Sequence, residues 1–147
     1  MHRRTYLAVA GGTAVGAAGC LGGEPSRPTE LIDVHLEGMD RTAAPALDDP
    51  PRISVVADAA LVLVEGTLSY GSSTCGGYDL EAAAYDADDA SFRVLLEDYH
   101  EQEAGEDCTA DEVTTSYRVR AVFDDGVPAS VTAIEDDNLD VRESTYP

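Results

Sequence analysis

The sequence contains no lysine and no tryptophan, and its positive charge comes from 9 arginines set against 29 acidic residues. The formal net charge is -20. No cluster of basic residues is present to neutralise phosphates, so a nucleic-acid-binding function is disfavoured. The acids are spread along the chain and hydrophobic residues make up 44 % of it. That is enough apolar material for a core, unlike a disordered acidic segment.

This density of negative charge favours a protein that works in concentrated salt. In dilute buffer the acids would repel one another, whereas molar salt shortens the screening length to about 3 Å. The composition, including the absence of lysine, resembles that of proteins from halophilic archaea. The alternative is an acidic surface made for a basic partner.

The chain also lacks an apolar run long enough to cross a bilayer, which takes about 20 residues. The run Tyr6 to Ala18 has only 13 residues and follows His2, Arg3 and Arg4. A positive start followed by a short apolar stretch is typical of a signal peptide. The letters RRTYL resemble a twin-arginine export signal carried by Arg3 and Arg4.

The letters AAGC, ending at Cys20, resemble the lipobox of prokaryotic lipoproteins, with Ala17 where a large aliphatic residue is usual. The resemblance implies that Cys20 becomes the mature N-terminus and carries a lipid. We therefore predict a signal peptide at 1–19, a lipid-anchored flexible tether at 20–29 and a folded domain at 30–147. Cleavage removes two arginines and no acid, so the net charge becomes -22. The predicted location is the outer face of the cell membrane, reached by export.

Two cysteines remain after Cys20 is set aside, and we predict a disulfide between Cys75 and Cys108. An exported chain meets an oxidising environment, which favours pairing. The alternative is a metal or redox pair, but redox cysteines usually lie close in sequence. A zinc site needs about four ligands, and beyond the cysteines the mature chain offers only His35 and His100, neither spaced near them. We predict no metal site and no cofactor.

Alternating apolar and polar residues predict strands over most of the domain. Residues 78–99 form one predicted hairpin with its turn at Asp86 to Ala90, and Tyr78, Leu80, Ala82 and Ala84 alternate on its first arm. About seven strands joined by short turns predict an all-β fold: a single antiparallel β-sandwich or barrel-like domain stapled by one disulfide.

Three further expectations follow from the same alternation. Ile32, Val34 and Leu36 share one face of the first strand. Residues 61–64 are apolar at every position, which predicts a central strand covered on both faces. A second hairpin is predicted over 112–137, with the letters DDGVP as its turn.

The order of features in the second half is similar to the small domain at the C-terminus of the protease-complex protein PrcB. The matching residues are Gly76, Gly77, Tyr78, Cys108, Thr114 and Tyr117. Asp107 stands where that family has glycine, and no proline precedes Tyr117. The chain also looks like a set of uncharacterised haloarchaeal lipoproteins. Either resemblance implies an all-β domain without enzymatic activity.

Catalytic and cation-binding patterns are weak in this sequence. Ser72 and Ser73 lie outside a Gly-x-Ser-x-Gly motif, so they become candidates only if the fold places His100 beside them. The acids of 86–89 lack the glycine of a calcium loop, and those of 135–140 are interpreted as a solvated strand end. The six tyrosines of the mature chain are either a binding platform or half-buried sandwich edges.

We therefore predict a membrane-anchored extracellular binding or structural domain that is not an enzyme and has no catalytic residues. Its expected partners are the membrane, through the lipid on Cys20, and an envelope protein. The first alternative is a ligand-capturing accessory subunit of a transporter or envelope complex. The second is a small secreted hydrolase or a protease regulator.

Overall fold

A computed structural model of the chain describes residues 25–147. The predicted signal peptide, with Arg3 and Arg4, and the predicted lipid attachment at Cys20 lie outside these residues. Within the described part no helix is long and apolar enough to cross a membrane.

Residues 25–147 form eight strands and one short 3-10 helix at Ala57–Ala59. The strands are β1 Leu31–Gly38, β2 Arg52–Val56, β3 Leu61–Gly71, β4 Gly76–Asp86, β5 Ser91–His100, β6 Glu112–Phe123, β7 Ser130–Asp136 and β8 Val141–Tyr146. Sheet A has the order β1-β6-β3-β2 and sheet B the order β4-β5-β7-β8. The all-β sandwich prediction is confirmed, with two separate sheets instead of a closed barrel and eight strands instead of about seven.

The core lies between the two sheets and follows from the period-two alternation of the strands. Strand β6 contributes every second residue from Tyr117 to Phe123, and each of these side chains is buried. The full core cluster is Val62, Val64, Leu68, Phe92, Val94, Leu96, Tyr117, Val119, Ala121, Phe123, Val131 and Ala133.

Two pairings differ from the predictions. Strand β7 pairs in parallel with β5, so the sandwich is not fully antiparallel. Strands β6 and β7 lie in different sheets, so the predicted hairpin over 112–137 is wrong. The 124–129 loop is a crossover from one sheet to the other, where Pro128 is buried and the N–H of Ala129 bonds to the carbonyl of Ala90. The hairpin of β4 and β5, by contrast, is confirmed.

Two details of side-chain orientation also differ from the sequence pattern. A bulge between Leu31 and Asp33 shifts the phase of β1, so Ile32 is 54 % exposed whereas Val34 packs against the core. In β3 the inner residues Val62 and Val64 are buried. Their outward neighbours at 61 and 63 are only half-buried, so this half of β3 is fully covered on one face alone.

All strands run between two opposite ends of the sandwich. At the tether end lie residues 26–30 and the connections 57–60, 87–90 and 124–129. At the loop end lie the connections 39–51, 72–75, 101–111 and 137–140. The two connections longer than ten residues are both at the loop end, away from the point where the chain enters the domain.

Candidate functional site

The predicted disulfide is present and fastens two connections of the loop end. Cys75 and Cys108 are bonded, with their Cα atoms 5.5 Å apart. The backbone adds to this link, because the N–H of Ser72 donates to the carbonyl of Asp111 at 2.7 Å. The N–H of Glu101 donates to the carbonyl of Cys75 at 2.8 Å. The 72–75 and 101–111 connections are therefore linked by one covalent bond and two backbone hydrogen bonds.

Ser72 is a turn residue rather than an exposed nucleophile. It is 3 % exposed and has a φ of 69°, in the left-handed region. Its Oγ accepts from the N–H of Cys75 at 3.1 Å and lies 3.0 Å from Oγ1 of Thr109. Ser73 uses its N–H to bind a carboxylate oxygen of Asp111 at 2.9 Å. Among residues 25–147, neither hydroxyl is hydrogen-bonded to a histidine, so His100 is not paired with either serine.

Four charged and polar side chains form a buried group between the sheets near the loop end, the inter-sheet cluster: Tyr117, Glu135, Asp137 and Arg142. The hydroxyl of Tyr117 donates to Oε1 of Glu135 at 2.6 Å. Arg142 donates from Nε to Oε2 of Glu135 at 3.0 Å and from Nη2 to Oδ2 of Asp137 at 2.7 Å. The side chains of Glu135 and Asp137 are fully buried. The interpretation of 135–140 as a solvated strand end is therefore wrong for these two acids.

The two carboxyl groups of the cluster differ in their pKa. Burial raises the pKa of Glu135 above its ordinary value, although the bonds from Tyr117 and Arg142 oppose the rise. Burial also acts to raise the pKa of Asp137, but the bonds from Arg142 and from backbone N–H groups outweigh it and hold that pKa low. Burial beside Glu135 raises the pKa of the Tyr117 hydroxyl far above its usual range, so this hydroxyl remains a donor.

The cluster also covers a free strand edge. Strand β2 pairs with β3 only as far as Glu65, so the rest of that edge needs other partners. The N–H of Ser69 donates to Oδ2 of Asp137 at 2.9 Å. Nη2 of Arg142 donates to the carbonyl of Thr67 at 3.4 Å. The β7–β8 connection is thereby attached to sheet A, and the role of the cluster is structural.

An acidic depression of about 330 Å³ lies on the outer side of β4 and β5, near the loop end. It is lined by Asp79, Glu81, Glu97, Asp98, Tyr99 and Glu101. Burial and the nearby charges of Asp137 and Asp136 raise the pKa of Asp98. In the described part of the chain, no group of three or more histidine, cysteine or acidic side chains is arranged to hold a metal ion. Five of its six lining residues are acidic, so the depression is a region of concentrated negative charge.

The tyrosines do not form a common platform. Tyr117 is in the core, and Tyr70, Tyr78 and Tyr85 pack against it. Tyr99 and Tyr146 are 44 % and 37 % exposed, and they lie near opposite ends of sheet B. The expectation of half-buried sandwich residues fits Tyr70, Tyr78 and Tyr85, whereas Tyr117 is fully buried.

The last residues of the predicted tether are bonded to the domain. Arg27 donates from Nη1 to the carbonyls of Val127 and Pro128 at 3.2 and 3.3 Å. The N–H of Thr29 donates to Oδ1 of Asp124 at 2.9 Å, and its hydroxyl binds the other carboxylate oxygen. These bonds hold the pKa of Asp124 at about 2. Residues 27–30 are therefore bonded to the 124–129 crossover.

Comparison with known proteins identifies no relative, since no protein-family model, curated protein or solved structure matches the chain.

Proposed function

We propose that the protein is a lipid-anchored domain on the outer face of a halophile's cell membrane, with a binding or structural role rather than a catalytic one. The observation that supports this best is the separation of the two ends. Residues 26–30 enter at the tether end, whereas the long connections and the disulfide are at the loop end. A domain anchored to the membrane through Cys20 would have its loop end, with the disulfide, on the side away from the bilayer.

The distance between lipid and domain is limited by the covalent chain. Six residue steps separate Cys20 from Ser26, and an extended chain spans at most about 3.3–3.6 Å a step. The anchor therefore lies within about 20 Å of the point where residues 26–29 are bonded to the sandwich. This restricts how far the domain can move from the membrane and favours partners that are themselves at the surface.

Binding is supported by the loop end, because the disulfide and the backbone bonds fix the surface that it presents. The resemblance to haloarchaeal lipoproteins points the same way. The acidic composition fits a molar-salt solvent, where screening removes most of the self-repulsion of the chain.

The test is the intact mass of the protein purified from the membrane fraction of a halophilic host. We expect a chain that begins at Cys20 with added lipid, and two thiols that react with an alkylating reagent only after reduction. The matched control is Cys20→Ser, which should leave the membrane fraction while keeping the Cys75–Cys108 bond. A full-length chain without lipid in the wild type would overturn the proposal.

A further inference from the structure

The connection between β1 and β2, residues 39–51, crosses the outer face of sheet A. Strands β1 and β2 are the two edge strands of that sheet. Strand β1 ends beside Tyr117 of β6, and β2 begins beside Glu65 of β3, so the connection has to pass both central strands. The carbonyl of Pro45 accepts a hydrogen bond from Oγ1 of Thr67 at 2.6 Å. Thr67 alternates with the core residues of β3 and so points outward, which places the connection over the outer face.

The part of the sheet beneath this connection is polar and buried. Thr67, Ser69 and Ser116 are each no more than 3 % exposed. Thr67 is the cross-strand neighbour of Ser116, and their hydroxyl oxygens lie 2.6 Å apart. Thr114 is the cross-strand neighbour of Ser69 and is half-buried. We call these four residues the hydroxyl floor. Outward-facing residues of a sheet are buried only where another segment covers them, and here that segment is the connection that bonds to Thr67.

In the described part of the chain, three hydrogen bonds join the connection to the sheet. One is the bond from Thr67 to Pro45. In the second, the N–H of Met39 donates to the carbonyl of Ser116 at 3.1 Å. In the third, Nη2 of Arg52 donates to the carbonyl of the residue at 43, at 2.9 Å. The attachment of the connection is therefore mainly polar.

The connection adds little apolar packing to the domain. Of its residues only Pro51, next to β2, is buried. None of residues 39–51 belongs to the core cluster or to the apolar side chains that pack against that cluster. Few buried apolar contacts are typical of segments that open locally while the rest of a protein stays folded.

One hydroxyl of the floor is left unsatisfied when the connection covers it. The Oγ of Ser69 is buried and has no hydrogen-bond partner among residues 25–147, although the N–H of Ser69 donates to Asp137 at 2.9 Å. A buried hydroxyl without a partner destabilises the state that buries it, because it has given up its bonds to water. When the connection lifts from the sheet, this hydroxyl regains those bonds, and opening is favoured to the same extent.

We propose that residues 39–51 form a lid that opens over the hydroxyl floor while both sheets stay folded. The closed lid is stabilised by the bonds at Thr67 and Met39 and destabilised by the unpartnered hydroxyl of Ser69. Because the lid contributes nothing to the core cluster, its opening costs less free energy than unfolding of the sandwich. The open state presents the hydroxyls of the floor to the solvent, and the closed state hides them. This inference goes beyond the proposed function and does not depend on the membrane anchor.

The test is native-state amide hydrogen exchange of the isotope-labelled Cys20→Ser chain in molar KCl, followed by NMR. The N–H of Met39 reports on the lid, and the N–H groups of Val64 and Val119, in the middle of sheet A, report on the core. We expect Met39 to exchange faster than the two core amides. Its opening should depend little on added denaturant, since lifting the lid exposes little surface.

Two substitutions in the floor should move the lid in opposite directions. Ser69→Ala removes the unpartnered hydroxyl and should slow the exchange of Met39 about tenfold. Thr67→Val removes the bonds to Pro45 and Ser116 and should speed it about tenfold. Each should change core exchange by the same factor, because global unfolding also opens the lid.

The matched control is Val94→Ala, a truncation of a core residue in sheet B. It should speed exchange of the core amides and leave Met39 unchanged, because Val94 stays buried when only the lid opens. Exchange of Met39 at the rate and denaturant dependence of the core would overturn the proposal, as would an equal acceleration of Met39 and the core by Val94→Ala. Unchanged or faster exchange of Met39 in Ser69→Ala would also overturn it. If Thr67→Val alters the circular dichroism spectrum, the other two variants still decide the outcome.

Discussion

Replacing Arg142 by methionine should destabilise the domain more than any other single loss of a surface or strand-end charge. The substitution keeps much of the side-chain length and removes the cation that bonds both Glu135 and Asp137. Both carboxylates are fully buried, so each loses its counter-charge without gaining water. Removing one partner of a buried ion pair costs about 3–5 kcal/mol. We expect Arg142→Met to lower the free energy of unfolding by that amount at neutral pH.

The stability lost in Arg142→Met should become smaller as the pH falls. Burial already raises the pKa of Glu135 when the domain is folded, and the loss of Arg142 should raise it further. A carboxyl group with a raised folded pKa opposes folding when it is ionised, and that cost disappears as the pH falls below its unfolded pKa of about 4.3. Asp137 behaves in the opposite way in the wild type, because its lowered pKa adds stability that is lost in acid. In the wild type the two carboxyl groups therefore change stability in opposite directions as the pH falls. In the variant both lack their counter-charge, so protonation relieves both and the difference from the wild type shrinks.

Circular dichroism is the suitable assay because the chain has no tryptophan to serve as a fluorescence probe. Thermal unfolding in molar KCl should show the variant melting about 10–25 °C below the wild type at pH 7, since 1 kcal/mol shifts a domain of this size by a few degrees. Arg93→Met is the matched control. It removes an exposed arginine without an ion pair among residues 25–147 and should change stability by less than about 0.5 kcal/mol. A deficit below about 1 kcal/mol at pH 7, or one unchanged between pH 7 and about pH 4, would refute the buried cluster.

Three further results are expected. Replacing Cys75 and Cys108 by serine should cost about 3–4 kcal/mol by loop-closure arithmetic for a separation of 33, seen as a lower urea midpoint; an unchanged midpoint would contradict a stabilising disulfide. Gly66→Ala places a Cβ 1.8 Å from a carboxylate oxygen of Glu135, so overpacking should lower the free energy of unfolding by about 1–3 kcal/mol. The control is Gly38→Ala, whose Cβ meets nothing within 4 Å. Equal melting temperatures for the two variants would refute the close packing at Gly66. Dialysis from molar to low salt should unfold the domain, and an unchanged circular dichroism spectrum would contradict the halophilic interpretation.

The sequence was sufficient for the fold class because alternation is a local property. Residues 117–123 in β6 alternate over a long stretch, and the strand that they predict is observed. The predicted inward-facing residues of β1 and β4 are wrong where a β-bulge inserts one extra residue into the strand. The bulge at Leu31 exposes Ile32, and the bulge between Leu80 and Ala82 moves the inward set of β4 to Ala83 and Tyr85. A bulge leaves no mark in a hydropathy pattern, because the residues on both sides of it still alternate.

The crossover between β6 and β7 was missed for a different reason. Its residues, Asp124 to Pro128, include the turn-favouring pair Asp125 and Gly126, and Gly126 has a φ of 68°. A glycine in the left-handed region occurs equally in a hairpin turn and in a connection that changes sheets. The choice is made by contacts distant in sequence: a Cβ on Gly126 would lie 2.1 Å from the carbonyl oxygen of Ser26. This contact between Gly126 and Ser26 forms only in the folded domain, so the local sequence of the turn does not reveal it.

The alternation of β7 indicates that Glu135 is buried, but the large number of acids in the chain obscures this pattern. The inward alternation of Val131 and Ala133 continues to Glu135, so the pattern places that acid in the core. With 29 acids in the chain, composition alone predicts that an acid in a strand lies at the surface. The partner Arg142 lies in the last strand, which has no apolar alternation to mark its inward face. A buried acid in a period-two register is the signal to search for an arginine on the adjacent strand.

The position of the cluster explains why ions are tolerated there. Apolar replacements for a buried ion pair often maintain stability, because they remove the desolvation penalty. Here they would also remove the partners of the N–H of Ser69 and the carbonyl of Thr67, on the edge of β3 that β2 leaves open. An orphaned buried backbone group costs about 1–3 kcal/mol. The triple replacement of Glu135, Asp137 and Arg142 by leucine and methionine should therefore destabilise the domain through the strand edge even though no charge remains buried. Faster amide hydrogen exchange at residues 67–69, with the rest of sheet A unchanged, is the measurement that separates this cause from a general loss of packing.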